Sequence, residues 1–411
     1  MNKAIKKQLT MNLTTRSCLL CCLSFLVVWF SGDAFAQSIF SRRGVGLLRH
    51  RDNVRAIGMG GAGIALNDSI SLYFLNPASM TRINLTRIHG DFRYERASVN
   101  LVQSAFSGLF QDASVNSVGL AIPIKSGQVF AFGVRPYSFS DFQFTREDSA
   151  ETESLSSFGG ISELYLGYAR QLGAWRIGAT ADFYFGRLER IWRLTHTSDE
   201  IRNSEDVINR RVKGVGLHLG AQIQPGRWRL GSAIGLPARL NVTSELNTLS
   251  GFTGVISKGK LKLPFWWSAG FGYAPNRRWL FSTDYRTQKW SSVQPAELLG
   301  DRGVNSFALS FGGEFIPGFD MLSGYFKRVS YRFGGNYQQL PYEEPFGKKV
   351  RQLTANFGLG LPFGRGYNRF DLAVELGKRG SLTDNLVKEN IVLLHVAIIG
   401  SERWFQRPKR R

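Results

Sequence analysis

Cysteine is nearly missing from this chain, histidine is sparse, and no apolar run is long enough to cross a bilayer as a helix. The three cysteines, Cys18, Cys21 and Cys22, fall in the first 22 residues. The chain beyond them can form neither a disulfide nor a thiolate metal site. Of the five histidines, His50, His196, His218 and His395 are scattered without ligand spacing. No metal and no cofactor is therefore expected. A carboxylate suited to a ribose is also missing. Gly58, Gly60 and Gly63 spell G-x-G-x-x-G, but the next acidic residues are Asp68 and then Asp91. No long helix can open at "IALNDSI", so the glycines do not read as a nucleotide turn. Their alternative use is close backbone packing or positive φ.

What is present begins with a basic start (Lys3, Lys6, Lys7, Arg16), the apolar run Cys18 to Phe30, and Ala34-Phe35-Ala36. This predicts a secretory signal peptide over residues 1–36, cleaved before Gln37. The formal net charge of +21 would suit nucleic acid in a cytosolic protein, but an exported chain has none to meet.

After the signal, apolar residues recur at period two. In "TRIHGDFRYER", Ile88, Gly90, Phe92 and Tyr94 alternate with Arg87, His89, Asp91, Arg93 and Glu95. The pattern returns at "RVSYRFGGNY", "NSFALSFGGEF" and "RFDLAVELGK". Apolar-out, polar-in segments of this length predict a membrane β-barrel. Fourteen strands are expected within residues 86–405, at about 86–101, 113–123, 128–144, 161–172, 174–195, 208–224, 227–243, 257–274, 277–290, 303–316, 327–338, 348–362, 366–379 and 388–404. Tight turns such as "KSGQ", "LG" and "QPGR" alternate with long polar loops, every one of them net acidic. That arrangement assigns the loops to the outside and the turns to the periplasm. Basic residues gather in the turns, in residues 42–55 and in the tail 406–411. They read either as solvated surface or as an interior that attracts an anionic head group.

So wide a barrel needs filling. Residues 37–85 precede the first strand and are expected to fold back as a plug. A short helix is expected to start at Asn67 or Asp68 and end at Pro77. The glycines would then let the plug backbone pass close to inward side chains.

The signal peptide, "GMGGAGIALND" (Gly58, Gly60, Gly61, Gly63), the "NPA" of Asn76, Pro77 and Ala78, and fourteen strands together resemble the FadL/TodX family of outer-membrane transporters. The chain's end, "SERWFQRPKRR", is similar to the ends of FadL- and PorV-like barrels of Bacteroidota and their relatives. The resemblance implies an N-terminal hatch containing "NPA" and a lumen that binds hydrophobic molecules. It also implies their exit sideways through the wall, with outer-membrane lipids and lipopolysaccharide as surroundings. It transfers no ligand-pocket residue.

From the residues themselves, Arg87, His89, Arg93, Arg328 and Arg332 are the lumen and ligand candidates, the arginines as partners of hatch carboxylates or of an anionic head. Pro136, flanked by Arg135 and Tyr137 in the middle of the third strand, can donate no ladder hydrogen bond. It marks either a lateral opening or a tolerated bulge. Three functions stay open. They are passive transport of hydrophobic or amphipathic molecules, a scaffold binding a secretion partner protein, and a hydrolase built on His89 and Asp91. The last lacks a serine beside the pair in sequence, and no enzyme is expected.

Overall fold

The computed structural model describes residues 38–49, 53–101, 107–198, 202–320, 322–344, 347–364 and 366–402. The signal peptide and the basic tail lie outside the described residues. The barrel strands are β1 (Thr86–Leu101), β2 (Ser107–Lys125), β3 (Gln128–Phe139 and Phe142–Glu147), β4 (Glu151–Leu172), β5 (Trp175–His196), β6 (Ser204–Ile223) and β7 (Trp228–Gly235 and Ala238–Thr248). They continue as β8 (Thr253–Leu263 and Trp266–Tyr273), β9 (Trp279–Gln288), β10 (Ser306–Phe315), β11 (Ser330–Glu344), β12 (Lys348–Phe363), β13 (Asn368–Ser381) and β14 (Val387–Glu402). Neighbours pair antiparallel in chain order. β14 closes the ring on β1 from Val387↔Leu101 to Glu402↔Thr86. This is a closed fourteen-stranded barrel, as the alternating pattern implies.

The two faces sort by chemistry. On β1, Ile88 and Phe92 are each 50% exposed, while His89 and Asp91 are 1% and 0% exposed. Outward residues beside the tight turns are aromatic: Trp228 stacks with Tyr273 at 4.3 Å and Trp279 with Phe315 at 4.4 Å. An apolar outer band edged by such rings is the surface of a membrane barrel.

Several expectations need correction. β4 runs from Glu151, β2 from Ser107, β7 to Thr248 with β8 from Thr253, and β11 to Glu344, so several predicted loops are largely strand. Their polar residues stand above the apolar band, where a ladder needs no apolar face. The helix predicted between Asn67 and Pro77 does not form. Asp68 instead accepts from the Ile70 amide at 2.8 Å and from the Ser71 amide, a local turn that competes with helix. Proline starts the next element rather than ending one. Pro77–Arg82 is a 3-10 helix with Asn76 as its N-cap, since proline's missing N–H is harmless in a first turn. A short α-helical turn, α1 (Val54–Ile57), is capped by Asn53.

The lumen is not ionic throughout. Its outer part is an apolar cluster including Val45, Tyr137, Tyr184, Leu240, Leu261, Trp290, Val293, Leu298 and Tyr342. Residues 289–305, between β9 and β10, fold inward and bury Trp290 completely. Burying a side chain of that kind contributes on the order of 2 kcal/mol. The plug enters this cluster through Val45, whose amide donates to the Tyr342 hydroxyl at 3.0 Å. The described residues before β1 contact the wall at both ends, Ser38 beside Glu389 at the loop end of β14 and Arg82 beside Gln224 at the turn end of β6.

Candidate functional site

The glycine motif seats the hatch on the wall. Gly58 lies against Gly358 of β12, where a Cβ on Gly58 would come within 3.0 Å of the Gly358 Cα. Gly60, at φ +71°, and Met59 lie on Gly312, Gly334 and Gly335 of β10 and β11. A side chain at Gly60, Gly312 or Gly334 would strike backbone, and one at Gly335 would strike the Phe311 ring. The turn at Gly63 does hold an anion, but one supplied by the wall. The Gly63 and Ile64 amides both donate to Asp284 of β9, at 2.6 and 2.7 Å, as successive amides in a turn favour. Gly61 lines a cavity further up. Asn76 caps its helix by accepting from Ala78 at 3.1 Å. It also donates to Ile64 of the hatch and Ala221 of β6 at 2.8 and 3.2 Å. Pro77 and Ala78 are buried beside it.

Below the glycines, six side chains form a closed ionic ring. Arg55 binds Glu314 of β10 at 2.5 Å, and Arg332 of β11 binds the other Glu314 oxygen at 2.7 Å. Arg332 reaches Asp371 of β13 at 2.6 Å, and Arg369 meets the second Asp371 oxygen at 2.8 Å. Arg369 then contacts Asp68 of the hatch at 3.3 Å, and Asp68 returns to Arg55 at 2.5 Å. Three arginines balance three carboxylates, so no net charge is buried. Burial by itself would raise the Asp68 carboxyl. The Arg55 and Arg369 guanidiniums and the Ser71 and Ile70 amides outweigh it and hold the group well below the usual carboxylate range. The ring binds hatch to wall.

The third strand leaves its neighbour. β2 pairs with β3 from Lys125↔Gln128 up to Val118↔Val134, where the ladder ends. On its other side β3 pairs with β4 through a register shift between Pro136 and Ser138. The hatch supplies the missing partner: Leu47 and Leu48 pair antiparallel with Phe139 and Ser138. The Arg49 amide donates to the Tyr137 carbonyl at 2.9 Å, and the Ser41 hydroxyl to the Asp141 carbonyl at 2.9 Å. Arg135 is buried, ion-paired to Glu163 of β4, and lies 5.1 Å from the Phe74 ring and 5.0 Å from the Tyr165 ring. Beside the hatch strand, an empty space of about 810 Å³ (open mouth included) is lined by Leu47, Leu48, Arg93, Asn116, Arg379 and Leu393, among others.

The predicted lumen residues divide. Arg332 is in the ring, but its partners are wall carboxylates rather than hatch ones. Arg87 binds the hatch through the Ser69 carbonyl at 2.8 Å, not through a carboxylate. Arg93 faces the cavity and pairs with Glu95 at 2.6 Å. Arg328 is not on the inward face of a strand. It ends a helical turn (Tyr325–Arg328) before β11, over the Tyr325 ring. His89 and Asp91 do not bond one another: His89 Nε2 meets Ser117 Oγ at 2.8 Å, and Asp91 accepts from Asn116 at 2.7 Å. Ser117 comes from β2, the antiparallel neighbour of β1. Glu314, Arg369 and Asp284 of the wall bind residues 55–68, and Asp371 links two wall arginines; none of the four is among the sequence candidates. Their inward phase is readable, but their common height in the barrel is not.

The closed fourteen-stranded barrel has the fold of FadL-like barrels. The family model for BamG matches residues 14–410, nearly the full chain, and the protein belongs to the BamG family. Among solved structures, a Pseudomonas aeruginosa FadL homologue superposes with TM-score 0.64 at 14% identity, covering 87% of this chain and 99% of that one. The Ralstonia pickettii toluene transporter TbuX gives 0.57 at 13% identity, over 88% and 99%. The CymD monoaromatic hydrocarbon channel gives 0.56 at 18% identity, over 90% and 100%. At such identities the likeness establishes the fold. No curated protein matches the chain.

Proposed function

We propose that the protein is an outer-membrane channel for passive uptake of hydrophobic or amphipathic molecules, which pass between the lumen and the membrane through a gap between β2 and β3. One observation carries this reading: the β2–β3 ladder ends at Val118↔Val134, and a hatch strand, not β2, bonds β3 above it. In hydrocarbon an unpaired backbone group costs several kcal/mol, so a gap persists only where protein covers it. The hatch strand is that cover, and substrate passage requires it to move. The adjoining cavity mixes Leu47, Leu48 and Leu393 with Arg93, Asn116 and Arg379, a lining suited to an amphipathic guest. The solved relatives named for toluene and monoaromatic hydrocarbon transport agree in substrate class.

A second reading is a scaffold that binds a secretion partner. It is favoured by the β10–β11 turn, where Leu322 is 94% and Phe326 76% exposed on the periplasmic side. Mass spectrometry of protein purified in mild detergent separates the two. Stoichiometric bound lipid or fatty acid supports the channel. A stoichiometric protein partner with an empty lumen supports the scaffold.

A further inference from the structure

The periplasmic mouth gathers five arginines. Arg82 ends the Pro77–Arg82 helix, Arg176 and Arg229 open β5 and β7, and Arg277 and Arg278 form the β8–β9 turn. Among the described residues, none of the five pairs with a carboxylate. Arg82 donates to a neutral acceptor, Gln224, at 3.1 Å. Arg82 repels Arg176, while Arg229 is repelled by Arg55 and Arg82 and attracted by Glu314. Buried nitrogens there lack acceptors: Nε of Arg229, and Nε and Nη1 of Arg176. Each unsatisfied buried donor carries a desolvation penalty that a bound acceptor would remove.

Three of the five, Arg229, Arg277 and Arg278, face a space. A cavity of about 710 Å³, open mouth included, is lined by Arg229, Arg277, Arg278, Trp279 and Phe319. Arg55, Asp68 and Glu314 form its inner end. Both of those carboxylates already hold two guanidiniums each in the ionic ring. They have little left to offer the mouth.

We propose that the periplasmic mouth is an anion-binding site for a phosphate group. The planar guanidiniums of Arg229, Arg277 and Arg278 grip it, and Phe319 borders it with apolar surface. Guanidinium forks match phosphate oxygens in pairs, which favours a phosphate over a halide. The site stands apart from the β2–β3 gap and does not depend on the transport reading. The phosphate comes either from a free phosphoester or from a lipid head group.

Calorimetry on the full mature chain in a neutral detergent tests this, with inorganic phosphate, glycerol 3-phosphate and dihexanoyl phosphatidic acid as probes. Saturable binding is expected, weakening as salt is raised. Arg229→Gln should weaken it by about ten-fold, the loss of one charge-assisted contact. Arg277→Gln with Arg278→Gln, on an exposed turn, should weaken it similarly and keeps the test alive if the first variant fails to fold. Tighter binding of the short-chain lipid than of glycerol phosphate assigns a lipid head, and equal binding assigns a free anion. Absence of saturable binding by all three probes overturns the proposal. So does unchanged affinity in the variants.

Discussion

Two seams of this barrel solve the same problem differently. Where β14 meets β1, the ladder runs unbroken from Val387↔Leu101 to Glu402↔Thr86. Where β2 meets β3, it stops at Val118↔Val134, and the plug bonds β3 in place of the wall. The first seam needs nothing from the hatch to stay closed. The second is complete only while the hatch is seated. Since a lipid-exposed edge is intolerable, whatever holds the hatch also holds the wall shut. The ionic ring and the glycine seat do that holding, on the opposite wall, at β9 to β13. The contrast teaches that residues 47–48 act as a structural strand of the second seam.

The largest expected effect comes from breaking the ring. Glu314→Gln leaves Arg55 and Arg332 facing one another in the buried interior and should destabilise the folded barrel by about 3–5 kcal/mol. A chemical unfolding midpoint measures it, together with protease cutting within residues 38–75. Glu245→Gln, which removes a pair with the exposed Arg211, should change stability by no more than about 1 kcal/mol.

The glycine seat gives the next effect. Gly334→Val drives a side chain into the backbone of Met59 and Gly60 and should cost about 1–3 kcal/mol or more. Gly90→Val, on the β1 side of the unbroken seam with open space around it, should leave the midpoint unchanged. Equal effects of the two would remove the distinction between the seams.

Acid gives the smallest effect. Because the Asp68 carboxyl is held below its unfolded value near 4, its contribution is fully present above that pH. It is lost only as pH falls through the depressed folded value. Protease resistance of the hatch should therefore stay flat from neutral pH down to about 5. Loss of resistance between pH 7 and 5 would show that Asp68 is not locked in the ring.

Much of this was legible in the sequence, and the remainder has identifiable causes. The alternation of Ile88 and Phe92 with His89 and Asp91 sorts itself by period two, so strands and faces could be read directly. The tight turns supplied strand number and orientation. The glycines of residues 58–63 could be assigned to packing because the carboxylate and helix of a nucleotide site are missing. Their partner, Asp284, could not be found. Ring membership depends on which residues of β10, β11 and β13 reach one height, and that is set by barrel tilt and register. The helix at Asn67 failed for a local reason: Asp68 prefers its own turn amides and two arginines. The apolar outer lumen was hidden because Val45, Tyr137, Leu240, Trp290 and Tyr342 are brought together only by closure.

The central claim is that the hatch strand covers the β2–β3 gap and must leave it for passage. Leu48 and Ser138 are ladder partners, and residues 37–411 contain no native cysteine. Leu48→Cys with Ser138→Cys therefore allows one defined cross-link. Uptake of a labelled hydrophobic probe into vesicles holding this variant is to be compared in oxidised and reduced states. The account predicts that oxidation stops uptake and reduction restores it. Uptake at the same rate in both states would contradict it.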